Sequence, residues 1–183
     1  MNTLEQLQII LKTGKTSTEE ALKLFDKLDP VSLEFMIGQW RGYGLHTNHP
    51  IDGLLEAFNW YGKEFVDSDH VHPLLFLDQN HQVFKLVTNP ILMNLVVSLN
   101  FPKNQFLQLL FHGSHFLLKT ETSQARLRML EHRNQVSATM IYDYLPIHDT
   151  FRKVDNNTVL GLMDCKPIKQ PFFFILKRDG IMG

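Results

Sequence analysis

The stretch IGQWRGYGLHTNHP, Ile37 to Pro50, places Gly38, Trp40, Gly42 and Gly44 at alternate positions. Successive side chains of a strand point to opposite faces, so one face here carries an indole among residues that have no side chain. Such a strand bends easily and leaves room for something bulky to cross it, as the first strand of a closed barrel must. The rest of the chain decides whether a barrel is available.

From Ala125 onward five strand-like runs, ARLRMLEHR, VSATMIYDY, HDTFRKVD, TVLGLMDCK and FFFILKRD, are separated by turn chemistry at Arg133-Asn134-Gln135, Leu145-Pro146, Asp155-Asn156-Asn157 and Lys166-Pro167. Short connections make the neighbours antiparallel. The period of two also starts at Leu33, runs through the quoted stretch, and returns in KEFVDSD, HPLLFLD and HQVFKLVTN. Together these runs make about eight strands, enough for a small closed barrel. Helical spacing dominates the N-terminus, where Ser17 and Glu20 form a capping box ahead of Ala21, Leu24 and Phe25 and Asp29-Pro30 ends the run, and it recurs in part within the ambiguous apolar stretch Ile91 to Leu118. Asp52 reads as the N-cap of a short helix from Gly53 to Trp60, with Gly62 in the left-handed position past its end. The expected fold is mainly β with helical additions: an antiparallel barrel preceded by N-terminal helices. Residues 1–32 form the helical segment packed on the barrel. Residues 33–183 form the barrel domain, divided into 33–90, an apolar linking segment or lid at 91–118, and a C-terminal meander at 119–183.

With 18 basic against 19 acidic residues the formal net charge is -1, which provides no field to draw nucleic acid or an anionic membrane. The N-terminus lacks the pattern of a secretory signal, no apolar run reaches the roughly 20 residues of a spanning helix, and the single cysteine, Cys165, forms no internal disulfide. A cytoplasmic location is the expectation.

The inner face of VSATMIYDY is read as Val136, Ala138, Met140, Tyr142 and Tyr144, and that of ARLRMLEHR as Ala125, Leu127 and Met129. On TVLGLMDCK the choice lies between Val159, Gly161, Met163 and Cys165 on one side and Leu160 and Leu162 on the other. Inner faces rich in Ala, Gly and Met suit either a ligand cavity or a packed core with Met as filler, and the glycine-rich first strand favours the cavity.

GQWRG followed by HP, then WYGKEF and HPLLF, resembles the GXWXG protein family, and ARLRM, SATMIYD, PIHDTFR and VLGLMD are similar to the domain of unknown function that follows it. The resemblance spans about residues 33 to 178 and carries no catalytic residue onto this chain. Asn134 stands where that pattern has a turn glycine. A looser resemblance, of a Gly-x-Trp first strand with a basic residue near the last strand, is to lipocalins and related fatty-acid-binding barrels. It implies that Gly38, Trp40 and Gly42 close the barrel with Arg178, or else Lys177, stacked on the indole, a contact worth about 0.5–2 kcal/mol.

The function expected on this basis is binding of a hydrophobic small molecule, a fatty acid or phospholipid. Leu127, Met129, Ala138, Met140, Tyr142 and Met163 line its cavity, Lys63 or Arg41 meets its polar head, and Ile91 to Leu110 forms the lid. No cofactor is required. One alternative uses the histidines, nine in all, with His46 and His49 or His112 and His115 at ligand-like spacing, to hold haem or a metal, His49 foremost because it belongs to the motif. Another is a small enzyme with His148 as base and Asp149 as its partner, although Asp143 and Asp149 also suit outer-face pairs with Arg126 and Arg152. Phosphate-binding glycine loops, nucleophile elbows and His-Glu-x-x-His are absent from the sequence, which weakens the enzyme reading.

Overall fold

The computed structural model describes residues 3–90 and 118–180; the expected lid at 91–110, and His112 and His115, lie outside them. The chain runs through α1 (Thr3–Thr13), α2 (Thr18–Lys27), β1 (Asp29–Pro30), α3 (Leu33–Met36), β2 (Gly38–Leu45), α4 (Leu54–Ala57), β3 (Trp60–Phe65), β4 (Val71–Leu77), β5 (Val83–Lys85), β6 (Ala125–His132), β7 (Gln135–Tyr142), β8 (Ile147–Lys153), β9 (Thr158–Cys165) and β10 (Ile168–Arg178). Eight of the strands, β2, β3, β4, β6, β7, β8, β9 and β10, pair antiparallel in that order, and β10 returns to β2 to close the barrel. Closure removes the free edge that a meander of this length would otherwise expose. The β4–β6 join is narrow, with Val71 opposite Ala125, and β5 and β1 add short pairings to β4 and β8.

Two apolar clusters lie on the two faces of the sheet. Inside are Trp40, Trp60, Phe65, Leu127, Ala138, Met140, Phe151, Met163 and Phe174 among others. Outside, Leu45, Leu160, Leu162, Phe173 and Ile175 are covered by Leu7 and Ile10 of α1 and by Ala21, Leu24 and Phe25 of α2. The inner face of β9 is therefore the Val159, Gly161, Met163 and Cys165 side. The outer leucines explain why that strand reads as apolar on both faces: one face meets the interior and the other meets helices.

The capping box is formed as expected, with Ser17 accepting from the Glu20 N–H. Three local readings are corrected. Leu33–Met36 is a helical turn capped by Ser32, and the strand begins at Gly38. Asp52 does not cap α4; its carboxylate turns back to accept from the N–H groups of Thr47 and His49, and Gly53 takes the N-cap position. Gly62 lies within β3. At the β6–β7 hairpin, Arg133 and Asn134 have φ of 55° and 61°, so Asn134 takes the left-handed conformation that a glycine would have supplied.

Candidate functional site

At one end of the barrel, Trp40 and Arg178 face each other across the β2–β10 pair, with the guanidinium carbon 4.3 Å from the indole centroid. Both side chains also serve α3, whose last carbonyls have no intrahelical partner. Trp40 Nε1 donates to Met36 O at 2.7 Å, and Arg178 donates to Phe35 O at 2.6 Å and Ile37 O at 2.9 Å. Each of these contacts ties the first strand to the last through α3.

The motif glycines make room for other groups than Trp40. A Cβ on Gly42 would run into the ring of Trp60, and one on Gly161 into Phe174. Those two rings meet edge to face, centroids 5.9 Å apart. Gly62 has φ +151°, a Cβ there would collide with the Trp40 carbonyl, and the β3–β4 register shifts on both sides of it. This is a bulge, and its effect is on the side chains that follow. In an unbroken strand residues 60 and 63 face opposite ways; the extra residue rephases β3 so that Trp60, Lys63 and Phe65 all enter the interior.

Lys63, 3% exposed, thereby reaches across the barrel to Asp149, 1% exposed, on β8, four places round the closed strand order from β3. Nζ lies 2.8 Å from Asp149 Oδ2 and donates to Pro73 O at 3.1 Å and to the Tyr142 hydroxyl at 3.4 Å. The rings of Phe174, Trp60 and Tyr142 surround it at 5.0, 5.7 and 5.7 Å. Burial pushes the Asp149 carboxyl up from its usual range, with Lys63 pulling the other way. It also pushes the Tyr142 phenol well above its ordinary value, helped by the neighbouring Asp149, so that hydroxyl keeps its proton. Two buried atoms in this neighbourhood have no hydrogen-bond partner: Asp149 Oδ1 and Trp60 Nε1.

The expected site residues divide. Leu127, Ala138, Met140, Tyr142 and Met163 are buried in the inner cluster. Met129 is not a lining residue: it is 44% exposed on β6, and Val136, which pairs with Glu131 closer to the hairpin turn, is 52% exposed. Tyr144, beyond the end of β7, is also exposed. Arg41 is exposed and lies over the ring of Tyr61, so it meets no interior head group. Lys63 is inside but donates all three of its hydrogens to protein acceptors.

The histidine readings fare differently. His49 Nε2 lies 3.1 Å from Gln170 O and its Nδ1 accepts from the Ile51 N–H, so both ring nitrogens are engaged and neither faces a metal. His46 lies against Glu56. Among the described residues no group of three or more His, Cys, Asp or Glu is placed to hold a metal ion. His148 is exposed whereas the adjacent Asp149 is buried, so alternation separates the base from its supposed partner. The outer-face pairing expected of Asp143 is formed, with Arg126 Nε and Nη2 2.8 and 2.6 Å from one carboxylate oxygen, but Asp149 takes no part in one. Arg152 lies over Phe25 of α2. Cys165 is buried, and burial raises its thiol pKa. Sequence reasoning missed Trp60 and the inward role of Asp149; the glycine between Trp60 and Lys63 was the available signal.

Among the described residues, no helix is long and apolar enough to cross a membrane. Residues 23–80 match the family model described as GXWXG protein, and residues 123–178 match the one described as Domain of unknown function (DUF4334). A crystal structure of a protein from Thermomonospora curvata matches with a TM-score of 0.73 and 31% sequence identity, covering 98% of this chain and 99% of that one. No curated protein matches. The two models fall in order on the two parts of one barrel, the first containing Trp60 and Lys63 and the second Tyr142, Asp149 and Phe174; the chain belongs to the GXWXG protein family, with the DUF4334 domain as its C-terminal part.

Proposed function

We propose that the barrel binds a hydrophobic small molecule of the lipid class in its interior. The observation that carries this reading is the polar group held within an apolar shell: Lys63, Asp149 and Tyr142 among aromatic rings, with Asp149 Oδ1 and Trp60 Nε1 left without partners. A buried polar atom without a hydrogen bond costs about 1–3 kcal/mol, and a binding site is one place where such a cost is retained. A barrel of this size with small and Met-rich inner positions suits one apolar ligand. Fatty acids and phospholipids share the apolar body this interior matches and differ from other lipids at the head.

The test is solvent extraction and native mass spectrometry of the purified full chain, with titration of the neutral apolar dye Nile red. A co-purifying lipid and a saturable rise in dye fluorescence are expected. Protein that carries no lipid and leaves the dye unaffected would mean that the interior is only a core.

A further inference from the structure

We infer that the ligand's polar end is an uncharged hydroxyl, as in a long-chain alcohol or a sterol, and is neither a carboxylate nor a phosphate ester. This rests on the binding proposed above and concerns the chemistry of the head alone.

An ammonium has three hydrogens to donate, and those of Lys63 go to Asp149 Oδ2, Pro73 O and the Tyr142 hydroxyl. Its charge is matched by the Asp149 carboxylate, so the pair presents no net positive charge to an anion. The other cations near the barrel wall are committed elsewhere: Arg178 donates to the carbonyls of α3, Arg152 lies against α2, and Arg41 is on the outer surface. Among the described residues around Lys63, hydrogen-bonding capacity remains in three places. Asp149 Oδ1 is an acceptor, the Trp60 N–H is a donor, and Tyr142, which accepts from Lys63, has its own O–H to give.

An anionic head would bring its oxygens against Asp149 Oδ1 in a region shielded from water, with no cation among the described residues of the barrel wall free to offset the repulsion. A carboxylic acid enters only with a proton on its own head or on Asp149. A hydroxyl has what this set lacks: one hydrogen for Asp149 Oδ1 and lone pairs for the Trp60 N–H or the Tyr142 O–H.

The experiment displaces Nile red from the full-length protein at pH 8 with 1-dodecanol, dodecanoate or dodecyl phosphate. The alcohol is expected to displace the dye at a concentration at least about tenfold below either anion, tenfold being about the worth of one hydrogen bond. In the double variant Trp60→Phe with Tyr142→Phe, which keeps both rings and removes both free donors, dodecanol is expected to bind at least about fivefold more weakly. In Asp149→Asn, which leaves Lys63 without its counter-charge, the preference reverses toward dodecanoate. If that variant does not fold, the Trp60→Phe, Tyr142→Phe double variant decides alone. Dodecanoate competing as well as dodecanol in the unaltered chain overturns the inference and leaves the binding function standing. An unaltered affinity for dodecanol in the Trp60→Phe, Tyr142→Phe double variant overturns it as well. Dye that neither binds nor is displaced by any of the three defeats the binding function itself.

Discussion

Trp40 and Trp60 both stand on the inner side of the barrel with a cation against the ring, Arg178 at 4.3 Å in one case and Lys63 at 5.7 Å in the other. Around Trp40 the polar groups named are satisfied within the protein: the indole N–H bonds to Met36 O, and the guanidinium bonds to Phe35 O of α3 and to the carbonyl of its C-cap, Ile37. Around Trp60 they are not. The indole N–H has no partner, and the carboxylate that matches Lys63 leaves one oxygen unbonded. A structural device uses up its hydrogen bonds; a recognition device keeps some for a ligand. The same pairing of ring and cation thus joins β2 to β10 in one place and, in the other, lies beside polar atoms that have no partner, as the proposed binding site requires.

The largest effect expected from breaking this contrast is at Lys63. Lys63→Met strands a buried carboxylate and should cost about 3–5 kcal/mol in urea denaturation, whereas Lys63→Met with Asp149→Leu should recover most of that loss, because removing both charges also removes both desolvation costs. A double variant no better than the single one would mean that the pair is not energetically coupled. Next comes Gly62→Ala, which forces a Cβ toward the Trp40 carbonyl at a φ that L-residues avoid. A loss of about 1–3 kcal/mol is expected, together with weaker Nile red binding as Lys63 is turned from the interior. Full stability and unchanged dye affinity in that variant would show that the bulge does not position Lys63.

At the closed end, a double-mutant cycle with Trp40→Phe and Arg178→Met should return a coupling of about 0.5–2 kcal/mol, with the ratio of alcohol to acid binding unmoved in the folded variants. Additive stabilities would mean that the stacking contributes nothing, and a changed ratio would join the two tryptophans into one site. The smallest effect concerns pH. Burial lowers the folded-state pKa of His49, His72 and His132 from 6.5. Below pH 6.5 the unfolded chain takes up protons on these imidazoles before the folded chain does. Their contribution is therefore complete above pH 6.5 and is lost as pH falls toward the lowered folded values. Chemical denaturation at pH 7.5 and 5.5 should show lower stability at the acid value, and His132→Gln should flatten that difference.

Much of this architecture was legible from pattern because a sheet with one face inside repeats every two residues. Leu127, Ala138, Met140, Tyr142 and Met163 were placed correctly on that ground, and the capping box of α2 followed from Ser17 and Glu20 alone. Alternation does not extend to Met129 and Val136, each two places from a buried residue, Leu127 or Ala138, and yet exposed on the strands that the β6–β7 hairpin joins. It was overlooked at His148 and Asp149, since adjacent strand residues cannot share a face. It gives no phase for Lys63 relative to Trp60, because the bulge at Gly62 resets the alternation; the lysine is nonetheless inside, where it was expected.

The sequence by itself determined the strands, their antiparallel order and the N-terminal helices, since each follows from local periodicity or turn chemistry, while the pairing of Trp40 with Arg178 was implied by resemblance to lipocalin-type barrels, with Lys177 left as the alternative. Only closure decided the interior site. Lys63 and Asp149 are far apart in the chain and stand on strands four places apart around the barrel, so no local pattern links them. Rolling the sheet into a cylinder brings those strands face to face and excludes water from between them. Two ordinary surface-type residues then become a buried pair with one oxygen still unpartnered.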